Sequence, residues 1–482
     1  MKVHVSTRLS RSRYSEAVVV GAGIAGLLAA RVLARRFSRV TVLDRDELPE
    51  EAVFRKGVPQ GRHLHSLATR GSELLEEFFP GLDRELSDAG APLLDQTADT
   101  ITDMPDGRMP RFRSGITMRA ASRAMIETAV RRRVEQEPSV RFVTGVEVTD
   151  LRLHRDAVAG VSARRRDTGG EEEYAADLVL DASGQSSRAP RWLREAGYGE
   201  PRQTVVDARL GYASRWYRVP EDFDGDWLAL AVLPGWPHNP RGGTLRQVED
   251  GLWTAVLTGS GGDYPPTDPG GFLKFSASLP SPIIHDAISA AEPVSPVYGY
   301  RLTANRRRHY ERMSLPAGFL VLGDAATTLN PSYGTGMTAA ALSARALEKS
   351  LAGTRSAGGL SLARLSLARL GRRFQRRQVK AVSPCWITTT SNDSQWAAAS
   401  LEELNAPRRF AHGVSEQVMA LAAERRSTAK TMFEVKNVLR GPSAMLRPGI
   451  LVPATYRALS TRKSKASKRT LSAERRHSLE RS

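Results

Sequence analysis

The sequence predicts an α/β fold, in which a Rossmann-like parallel-sheet domain is interrupted by an inserted β-sheet domain and followed by a C-terminal helical region. The apolar run 17–20 leads into a glycine-rich turn and a helical stretch, which together begin a βαβ unit. The apolar run 318–322 leads into a second glycine-bearing turn and another helix. Between them, the strand-rich segment 207–301 holds most of the tryptophans and predicts the inserted sheet.

The first turn has the spacing Gly21-x-Gly23-x-x-Gly26, and Asp44 with Arg45 closes the next predicted strand. In this pattern Gly21 allows a tight turn, Gly23 lets a pyrophosphate approach the backbone, and Gly26 lets the helix pack closely on the sheet. The free N–H groups of the helix favour phosphate binding, and Asp44 can accept hydrogen bonds from a ribose. A Rossmann-like unit without a ligand is the alternative, because this spacing also occurs by chance. The predicted unit is a strand at 17–21, a helix at 23–37 and a strand at 40–44.

The second turn, Gly323-Asp324, distinguishes FAD from a nicotinamide dinucleotide as the ligand. An aspartate at this point can hold the ribityl hydroxyls of FAD, which nicotinamide dinucleotides lack. A helix predicted from 337 to 350 would direct its N-terminal amides at the pyrimidine end of the flavin, where negative charge collects on reduction. The residues expected at that end are Pro331, Gly334, Gly336 and Met337. The two turns together predict an FAD-binding domain of the glutathione-reductase type; a strand–loop–helix corner without a ligand is the alternative.

Composition limits the other functions that the chain could have. The content of 41% hydrophobic and 25% charged residues is that of a globular protein. The net charge of +18 is confined to residues 1–15, 364–380 and 457–482, which argues against a broad nucleic-acid-binding face. Cys385 is the only cysteine, so an intrachain disulfide or a thiolate metal cluster is excluded, and a reducing cytoplasm is favoured. No run reaches the ~18 apolar residues of a membrane span, so no integral membrane segment is expected.

The inserted sheet is the predicted wall of a substrate site. Trp216 and Trp253 lie in its predicted strands and Trp227 directly precedes one, and bulky rings line apolar pockets well. Ordinary sheet core is an equally weighted alternative for them. Outside the two turns, helices are predicted at 66–79, 122–136 and 363–380, and strands at 140–144, 148–154, 157–165, 172–181, 212–218, 228–233, 244–248 and 252–258. The helix at 363–380 is basic and amphipathic, which fits either contact with a membrane or an acidic carrier domain, or a packed helix with a solvated face.

Several longer segments make the resemblance to a known family specific. They are GAGIAG with Asp44, RKGVPQGRHLHSL (55–67), ASRAMIE (121–127), DLVLDASG (177–184), GYASRWYRVP (211–220) and FLVLGDAATTLNPSYGTGM (319–337). Over about residues 16–350, the chain resembles the para-hydroxybenzoate-hydroxylase-like (class A) flavin monooxygenases. Within that class it is most similar to bacterial epoxidases of polyether polyketide biosynthesis, with squalene epoxidases as more distant relatives.

The resemblance implies roles for individual residues. Arg123 would contact the FAD pyrophosphate or ribose, Arg62 would lie near the flavin or the nicotinamide phosphate, and the Val148 backbone would meet the adenine. One departure concerns the Asp-Gly motif of the family, which is associated with NAD(P)H handling and stands here as Asp181-Ala182-Ser183-Gly184. This departure leaves open whether the reductant NAD(P)H acts directly or through a separate reductase. No second G-x-G-x-x-G is present, so a dedicated NADPH domain is not expected.

The histidines support no conventional catalytic constellation. His63 and His65 precede the predicted helix at 66–79, and either could hydrogen-bond to flavin or substrate or simply shape the loop. His309, within a run of arginines, fits a surface position better than a site. No metal-ligand spacing, G-x-S-x-G or G-x-x-x-x-G-K-[ST] motif occurs, so no metal and no serine nucleophile is predicted.

The predicted domain organisation is discontinuous. The FAD-binding domain comprises 16–80, 111–206 and 302–350, and the substrate domain comprises 81–110 and 207–301. Residues 351–456 form the C-terminal helical region, and 1–15 and 457–482 are predicted disordered basic tails.

The resemblance implies an FAD-dependent monooxygenase that transfers one oxygen atom from O2, through a flavin hydroperoxide, to an apolar polyketide or terpenoid substrate. Alkene epoxidation in secondary metabolism is the favoured reaction, and aromatic hydroxylation is the alternative within the family. A flavin-dependent prenyl reductase and a flavin-free binding protein of the same fold are further alternatives. Halogenases require a W-x-W-x-I-P segment, which this sequence lacks. The expected partners are a small apolar substrate and a flavin reductase or carrier protein.

Overall fold

The computed structural model describes residues 14–352, 360–396 and 406–460. Most of the two predicted basic tails, 1–13 and 461–482, lies outside the described residues. The strands are β1 (Tyr14–Val20), β2 (Phe37–Leu43), β3 (Leu93–Asp95), β4 (Thr100–Met104), β5 (Gly107–Arg108), β6 (Thr117–Arg119), β7 (Val140–Val143), β8 (Val146–His154), β9 (Ala157–Arg165), β10 (Glu171–Ala175), β11 (Leu178–Asp181), β12 (Gln203–Val206), β13 (Gly211–Arg218), β14 (Ala229–Val232), β15 (Arg241–Val248), β16 (Leu252–Gly259), β17 (Tyr298–Tyr300), β18 (Asn305–Arg308), β19 (Phe319–Val321) and β20 (Thr327–Thr328). The helices are α1 (Ile24–Ala34), α2 (Thr69–Phe78), α3 (Leu82–Asp88), α4 (Arg123–Glu135), α5 (Ala189–Glu195), α6 (Pro269–Ala277), α7 (Ile283–Ser289), α8 (Gly336–Leu351), α9 (Leu360–Trp396), α10 (Ala406–Glu424) and α11 (Arg426–Lys436), and residues 448–460 are also helical.

The centre of the fold is a five-stranded parallel sheet with the order β19-β11-β1-β2-β7. All its neighbouring strands pair in parallel, so the carboxyl ends of β1, β2, β11 and β19 meet at one edge. The strands are buried on both faces, which explains why they read as apolar runs. This is the predicted Rossmann-like α/β domain, and the predicted fold class is confirmed.

Two hydrophobic cores enclose the parallel sheet. On one face, α1, α2, α4 and α8 pack their apolar stripes against it, with Leu27, Leu33 and Leu347 fully buried. On the other face lie the antiparallel sheet β10-β9-β8 and α5, whose Trp192 is buried in this second core. The sheet is therefore sandwiched, which leaves its strand ends as the place for a ligand.

One predicted strand is wrong. The apolar pattern at 172–181 predicts a single strand, but the chain divides there into β10 and β11, which belong to different sheets. The break lies at Ala176 and Asp177: the Ala176 N–H still bonds to the carbonyl oxygen of Ala159 in β9, whereas the Asp177 N–H bonds to that of Glu16 in β1. Periodicity alone gives no sign of such a change of partner.

The inserted domain is built on a seven-stranded sheet with the order β17-β13-β16-β15-β14-β4-β5. Strands β13, β16 and β15 are antiparallel, and the turn between β15 and β16 holds Asp250 and Gly251 in left-handed conformation. The segment 81–110 is divided between two places. Strands β4 and β5 join this sheet, whereas Leu82 and Leu86 of α3 pack in the core of the Rossmann-like domain.

The C-terminal helices cover both domains. Helix α9 packs along α8 and β19, while α10 and α11 cover one end of the inserted domain, where Phe433 meets Met104 and Met109. The predicted helix at 363–380 lies inside α9. Within the part of the chain that the structure describes, no helix combines the length and apolarity needed to cross a membrane.

Candidate active site

A cavity of ≈ 310 Å³ lies at the carboxyl edge of the parallel sheet, where the two glycine-bearing turns meet. This is the crevice in which open α/β sheets bind ligands. The predicted cofactor residues that line it are Gly21, Gly23, Asp44, Arg45, Arg123, Val148, Asp324, Pro331, Gly334, Gly336 and Met337, joined by His65. The predicted residues that do not line it are Gly26, Arg62, His63, Trp216, Trp227 and Trp253.

The three glycines of the first turn have different surroundings. Gly21 has a φ of +102°, and a Cβ there would lie 2.7 Å from the Ala182 carbonyl oxygen. A Cβ on Gly26 would lie 1.8 Å from the carbonyl oxygen of Gly21, so the helix approaches the turn too closely for any side chain. A Cβ on Gly23 would have only the Arg123 guanidinium within 4 Å, at 3.9 Å, and would project into the cavity. The open space at Gly23 lies at the start of α1, whose free N–H groups suit a phosphate.

Asp44 is held in place by the backbone. Its carboxylate accepts hydrogen bonds from the N–H groups of Ala22 at 2.6 Å and Asp46 at 2.9 Å. Burial raises the pKa of Asp44, against the opposing effect of the nearby Arg55 charge and these two hydrogen bonds. The position suits a ribose at the end of β2.

A buried ion-pair cluster that sequence reasoning missed lies behind the phosphate end of the cavity. Arg55 pairs with Glu127 and lies 3.5 Å from Asp44, and Arg123 donates to the other Glu127 oxygen from Nε at 2.9 Å and from Nη2 at 2.7 Å. Burial opposes ionisation of Glu127, but the charges of Arg123 and Arg55 outweigh it and lower its pKa. Glu127 thus fixes both guanidinium groups. Arg55 and Glu127 lie in the segments 55–67 and 121–127, which carry the family resemblance, so the resemblance is the sequence signal that could have identified them.

The second turn contributes an acid to the other end of the cavity. Asp324 lines it beside Gly323, and its side chain accepts no hydrogen bond from the described residues. Burial raises its pKa to about 6, with Arg123 acting in the opposite direction. A carboxylate that is mostly ionised at neutral pH and faces a cavity fits ribityl hydroxyl donors.

The loop before α8 is shaped for close approach of a ligand. Gly334 has a φ of +66°, and a Cβ there would lie 2.6 Å from the side chain of Ser66. A Cβ on Gly336 would meet nothing within 4 Å, so the first turn of α8 faces open space. These features, with the open Gly23 and the unpaired Asp324, are the ones that an FAD molecule lying across the cavity requires.

A second missed residue, Asp393 of α9, holds this loop. Its fully buried carboxylate accepts hydrogen bonds from Asn305 Nδ2 at 2.5 Å, Asn330 Nδ2 at 2.9 Å and Tyr333 Oη at 2.6 Å. The C-terminal helix therefore positions residues directly before Gly334. No sequence motif marks Asp393, because its partners lie some 60 to 90 residues away.

The two histidines occupy different environments. His65 lines the cavity and donates from Nε2 to the Gln60 carbonyl oxygen at 2.8 Å, while burial and then Arg123 lower its pKa to about 3. His63 is buried, with Nδ1 2.8 Å from Ser214 Oγ in β13, and burial and the Arg62 charge lower its pKa to about 4. Both rings are therefore neutral at physiological pH, and His63 joins the Rossmann-like domain to the inserted sheet.

The tryptophans divide between the two faces of the inserted sheet. Trp253 is 1% exposed, stacks on Trp227 and packs in the core against α6 and α7, as the sheet-core alternative expects. Trp216 alternates to the opposite face, where its Nε1 donates to the Arg62 carbonyl oxygen at 2.9 Å. Arg62 itself is exposed, with its guanidinium over the Tyr298 ring.

The Asp181 carboxylate is hydrogen-bonded by residues of its own loop. Asp181 is fully buried and accepts from the N–H and hydroxyl of Ser183 and from the hydroxyl of Ser187. Ala182, Ser183 and Gly184 then line the cavity. Among the residues that the structure describes, no group of three or more His, Cys, Asp or Glu side chains could hold a metal ion.

Comparison with known proteins agrees with this site. A family model described as FAD dependent oxidoreductase (DAO) matches residues 16–96, which contain the first glycine turn and Asp44. Kynurenine 3-monooxygenase of Salinispora tropica is 26% identical over 68% of this chain and 70% of its own length. A solved structure of the flavin-dependent brominase Bmp2 has a TM-score of 0.63 with 14% identity, covers 94% of this chain and all of its own, and shows the common fold.

The fold and the cofactor site thus define a flavoprotein of the FAD-dependent monooxygenase class. Protein Rv3254 of Mycobacterium tuberculosis is 34% identical over 84% of this chain and 86% of its own length. The chain belongs to the same family as this mycobacterial protein.

Proposed function

We propose that this FAD-dependent monooxygenase inserts one oxygen atom from O2 into an apolar polyketide or terpenoid substrate, with epoxidation of an alkene as its reaction. The balance is alkene, O2, NAD(P)H and a proton giving epoxide, water and NAD(P)+. The observation that carries the proposal is the meeting of both glycine turns, Asp44 and Asp324 around one cavity beside the inserted sheet. FAD, when bound, supplies the redox chemistry by taking up two electrons and passing them to O2.

The residues of the chain hold and orient the cofactor. Asp44 would accept hydrogen bonds from the hydroxyls of the adenosine ribose. The first turn of α1, together with Arg123, would bind the pyrophosphate. Asp324 would accept the ribityl hydroxyls, and the first turn of α8 would direct its N–H groups at the pyrimidine end. We propose in addition that Arg62 lies near the flavin or the nicotinamide phosphate and that the backbone of Val148 contacts the adenine.

The cofactor would carry out the redox chemistry, and the residues of the site would position the substrate and exclude water. His65 is neutral at physiological pH, because its pKa is about 3, and its one N–H is donated to the Gln60 carbonyl oxygen, so Nδ1 can accept a hydrogen bond from a ligand without adding charge. Excluding water protects a reactive oxygen donor, and the sheet face bearing Trp216 would form one wall of the substrate site.

The family resemblance supports epoxidation over the alternatives. Aromatic hydroxylation is the second candidate, favoured by the similarity to a kynurenine 3-monooxygenase. Halogenation is not supported, although Bmp2 shares the fold, because the sequence lacks the W-x-W-x-I-P segment. NAD(P)H would be the electron donor, acting directly or through a reductase, and the departure from the Asp-Gly motif at Asp181-Ala182 leaves both routes open. The single Cys385 favours a cytoplasmic site for this reaction.

The test is to purify the protein, identify the released ligand by mass, and supply NADPH, NADH or a flavin reductase with an alkene under 18O2. Incorporation of one 18O atom into an epoxide supports the proposal. A saturated product without 18O would identify a reductase instead, and a colourless protein that does not bind added FAD would refute both.

A further inference from the structure

The sheet face that carries Trp216 also carries a cation. In the antiparallel register, Trp216 of β13 lies opposite Thr254 of β16, and Thr254 lies opposite Arg246 of β15. Residues directly opposite in neighbouring strands share one face of a sheet, so these three side chains form a row on the face that meets the Rossmann-like domain. His63 contacts the next row of the same face through Ser214.

Arg246 lies between this face and the cofactor cavity. Its Nη1 donates to Ser66 Oγ at 2.9 Å and to the His65 carbonyl oxygen at 3.3 Å, and both residues line the cavity. Its Nε is buried without a hydrogen-bond partner, and no described carboxylate forms an ion pair with it. Beside it, Thr254 is 1% exposed and its Oγ1 also has no partner among the described residues. Unpaired buried polar groups are costly, so a ligand atom is the expected partner.

A second cation approaches from the C-terminal region. Lys436 is the last residue of α11, and the next residue, Asn437, bonds through Oδ1 to the Thr69 N–H at 3.0 Å and to Gln96 Nε2 at 2.5 Å. These bonds fix the end of α11 beside the loop that holds Ser66. Lys436 is exposed at the end of α11, and the surrounding protein and the nearby Arg246 charge lower its pKa to about 8. Within the described residues, its ammonium has no carboxylate partner and lies 5.4 Å from the Phe433 ring centre.

Two cations that share one region without an acid repel each other, and an anion would remove that cost. Neither Arg246 nor Lys436 contributes to the packing of a core, and neither belongs to the phosphate end of the cavity. Arg246 donates a hydrogen bond to Ser66, and Ser66 packs against the Gly334 turn, which faces the proposed position of the flavin. An anion held here would therefore lie within a substrate's length of the reacting end of the cofactor.

We propose that Arg246 and Lys436 bind an anionic oxygen group, a carboxylate, at one end of the otherwise hydrophobic substrate, with Thr254 as an additional hydrogen-bond partner. This inference rests on the proposed oxygenase function. It replaces a purely apolar substrate by an amphipathic acid, whose charge anchors the molecule while its hydrocarbon part extends along the face of Trp216.

The test uses the FAD-loaded full chain and two probes of equal length, 10-undecenoate and 10-undecen-1-ol. Binding is measured at pH 7 by the change in flavin absorption on titration, which does not depend on turnover. The wild-type protein is expected to bind the carboxylate about tenfold or more tightly than the alcohol, as expected for a charge-assisted contact. Lys436→Met and Arg246→Met should bring that ratio close to one by weakening carboxylate binding alone.

The matched control is Lys430→Met, which removes an exposed lysine from the same helix and should keep the wild-type ratio. FAD content and melting temperature are measured for each variant, and Lys436→Met tests the inference even if Arg246→Met does not fold. Equal affinity for both probes in the wild type, binding of neither, or an unchanged ratio in Lys436→Met would overturn the proposal. Oxygenation of either probe is scored separately, so a preserved carboxylate preference without 18O incorporation would refute only the monooxygenase function.

Discussion

At the scale of single residues, burial sets the charge state of each group around the cavity. Asp324 becomes a weaker acid, with a pKa of about 6, whereas His65 becomes a much weaker base, with a pKa of about 3. Both shifts have the same cause, because desolvation disfavours the charged form of an acid and of a base alike. At physiological pH the site therefore presents one ionised acceptor and one neutral imidazole, which is the pair that suits hydroxyl donors and an uncharged flavin ring.

Asp324→Ala is expected to weaken FAD binding by roughly 10- to 100-fold, because a charged hydrogen-bond acceptor is worth about 1.5–3 kcal/mol. FAD affinity of the wild type should also be full above pH 6 and fall as pH drops through 6, since hydroxyl donors favour the ionised carboxylate. Flavin fluorescence during titration of the apoprotein measures both effects. The exposed Asp222→Ala is the control; an unchanged affinity or pH profile in Asp324→Ala would contradict the assignment.

A pH profile is also expected for the carboxylate probe. Lys436 has a pKa of about 8 instead of the usual 10.5, so undecenoate affinity should be constant between pH 6 and pH 8, where the probe is ionised and Asp324 still holds FAD, and should decline as pH rises through 8. The other groups near it do not titrate in this range: Arg246 has a pKa of about 10 and His65 is already neutral. The profile should be flat in Lys436→Met. A wild-type affinity that stays constant up to about pH 9, below the range in which Arg246 titrates, would show that Lys436 is not the responsible group.

At the scale of elements, the loop between β20 and α8 depends on a helix far away in the sequence. Asp393 of α9 accepts three hydrogen bonds from side chains around this loop, and two of them come from Asn330 and Tyr333, just before Gly334. Asn305 Oδ1 in turn accepts the N–H of Asn330 at 2.9 Å. The left-handed turn at Gly334 is thus supported from behind by a network that touches no part of the cavity.

Asp393→Ala should lower FAD affinity about tenfold without removing any residue from the cavity wall, because the loop before α8 loses its anchor. The adjacent Asn392→Ala changes an exposed residue of the same helix and should leave both FAD affinity and melting temperature unchanged. Titration of apoprotein with FAD, together with a thermal melt, checks the two variants. If Asp393→Ala binds FAD as the wild type does, the loop does not need α9.

The sequence predicts elements well where one pattern decides them, and fails where partners lie far apart. The βαβ unit and the strands β9 and β16 were predicted within a few residues, because glycine spacing and alternation are local signals. The split of 172–181 into β10 and β11 depends on which strand each residue pairs with, which no local pattern contains. In the same way, alternation separates Trp216 from Trp253, but only the packing of α6 and α7 shows which face is core.

At the scale of the whole molecule, the cavity is assembled from segments spread over most of the chain. Asp44, Ser183 and Asp324 come from three parts of the sequence and meet because parallel strands bring their carboxyl ends to one edge, and Arg123 joins them from the first turn of α4. This convergence could be predicted from the two glycine turns. The contributions of Asp393, Arg246 and Lys436 could not, because long-range hydrogen bonds and charge contacts leave no spacing motif. The C-terminal helices are therefore part of both proposed binding regions.

A ligand that bridges such distant segments should stabilise the whole fold. Substitution of Gly23 distinguishes this stabilisation by FAD from the stability of the apoprotein. FAD at 100 times its Kd is expected to stabilise the wild type by about 2.7 kcal/mol, seen as a rise in melting temperature over the apoprotein. Gly23→Val should melt as the wild-type apoprotein does, because Gly23 has ordinary extended angles (φ −74°, ψ 175°) and its Cβ would meet only Arg123 at 3.9 Å. Added FAD should not raise its melting temperature, since the valine occupies the space of the pyrophosphate.

Gly26→Val is the contrasting variant: its Cβ would collide with the Gly21 carbonyl oxygen, so it should destabilise the apoprotein itself. A Gly23→Val protein that gains as much stability from FAD as the wild type would place the phosphates elsewhere.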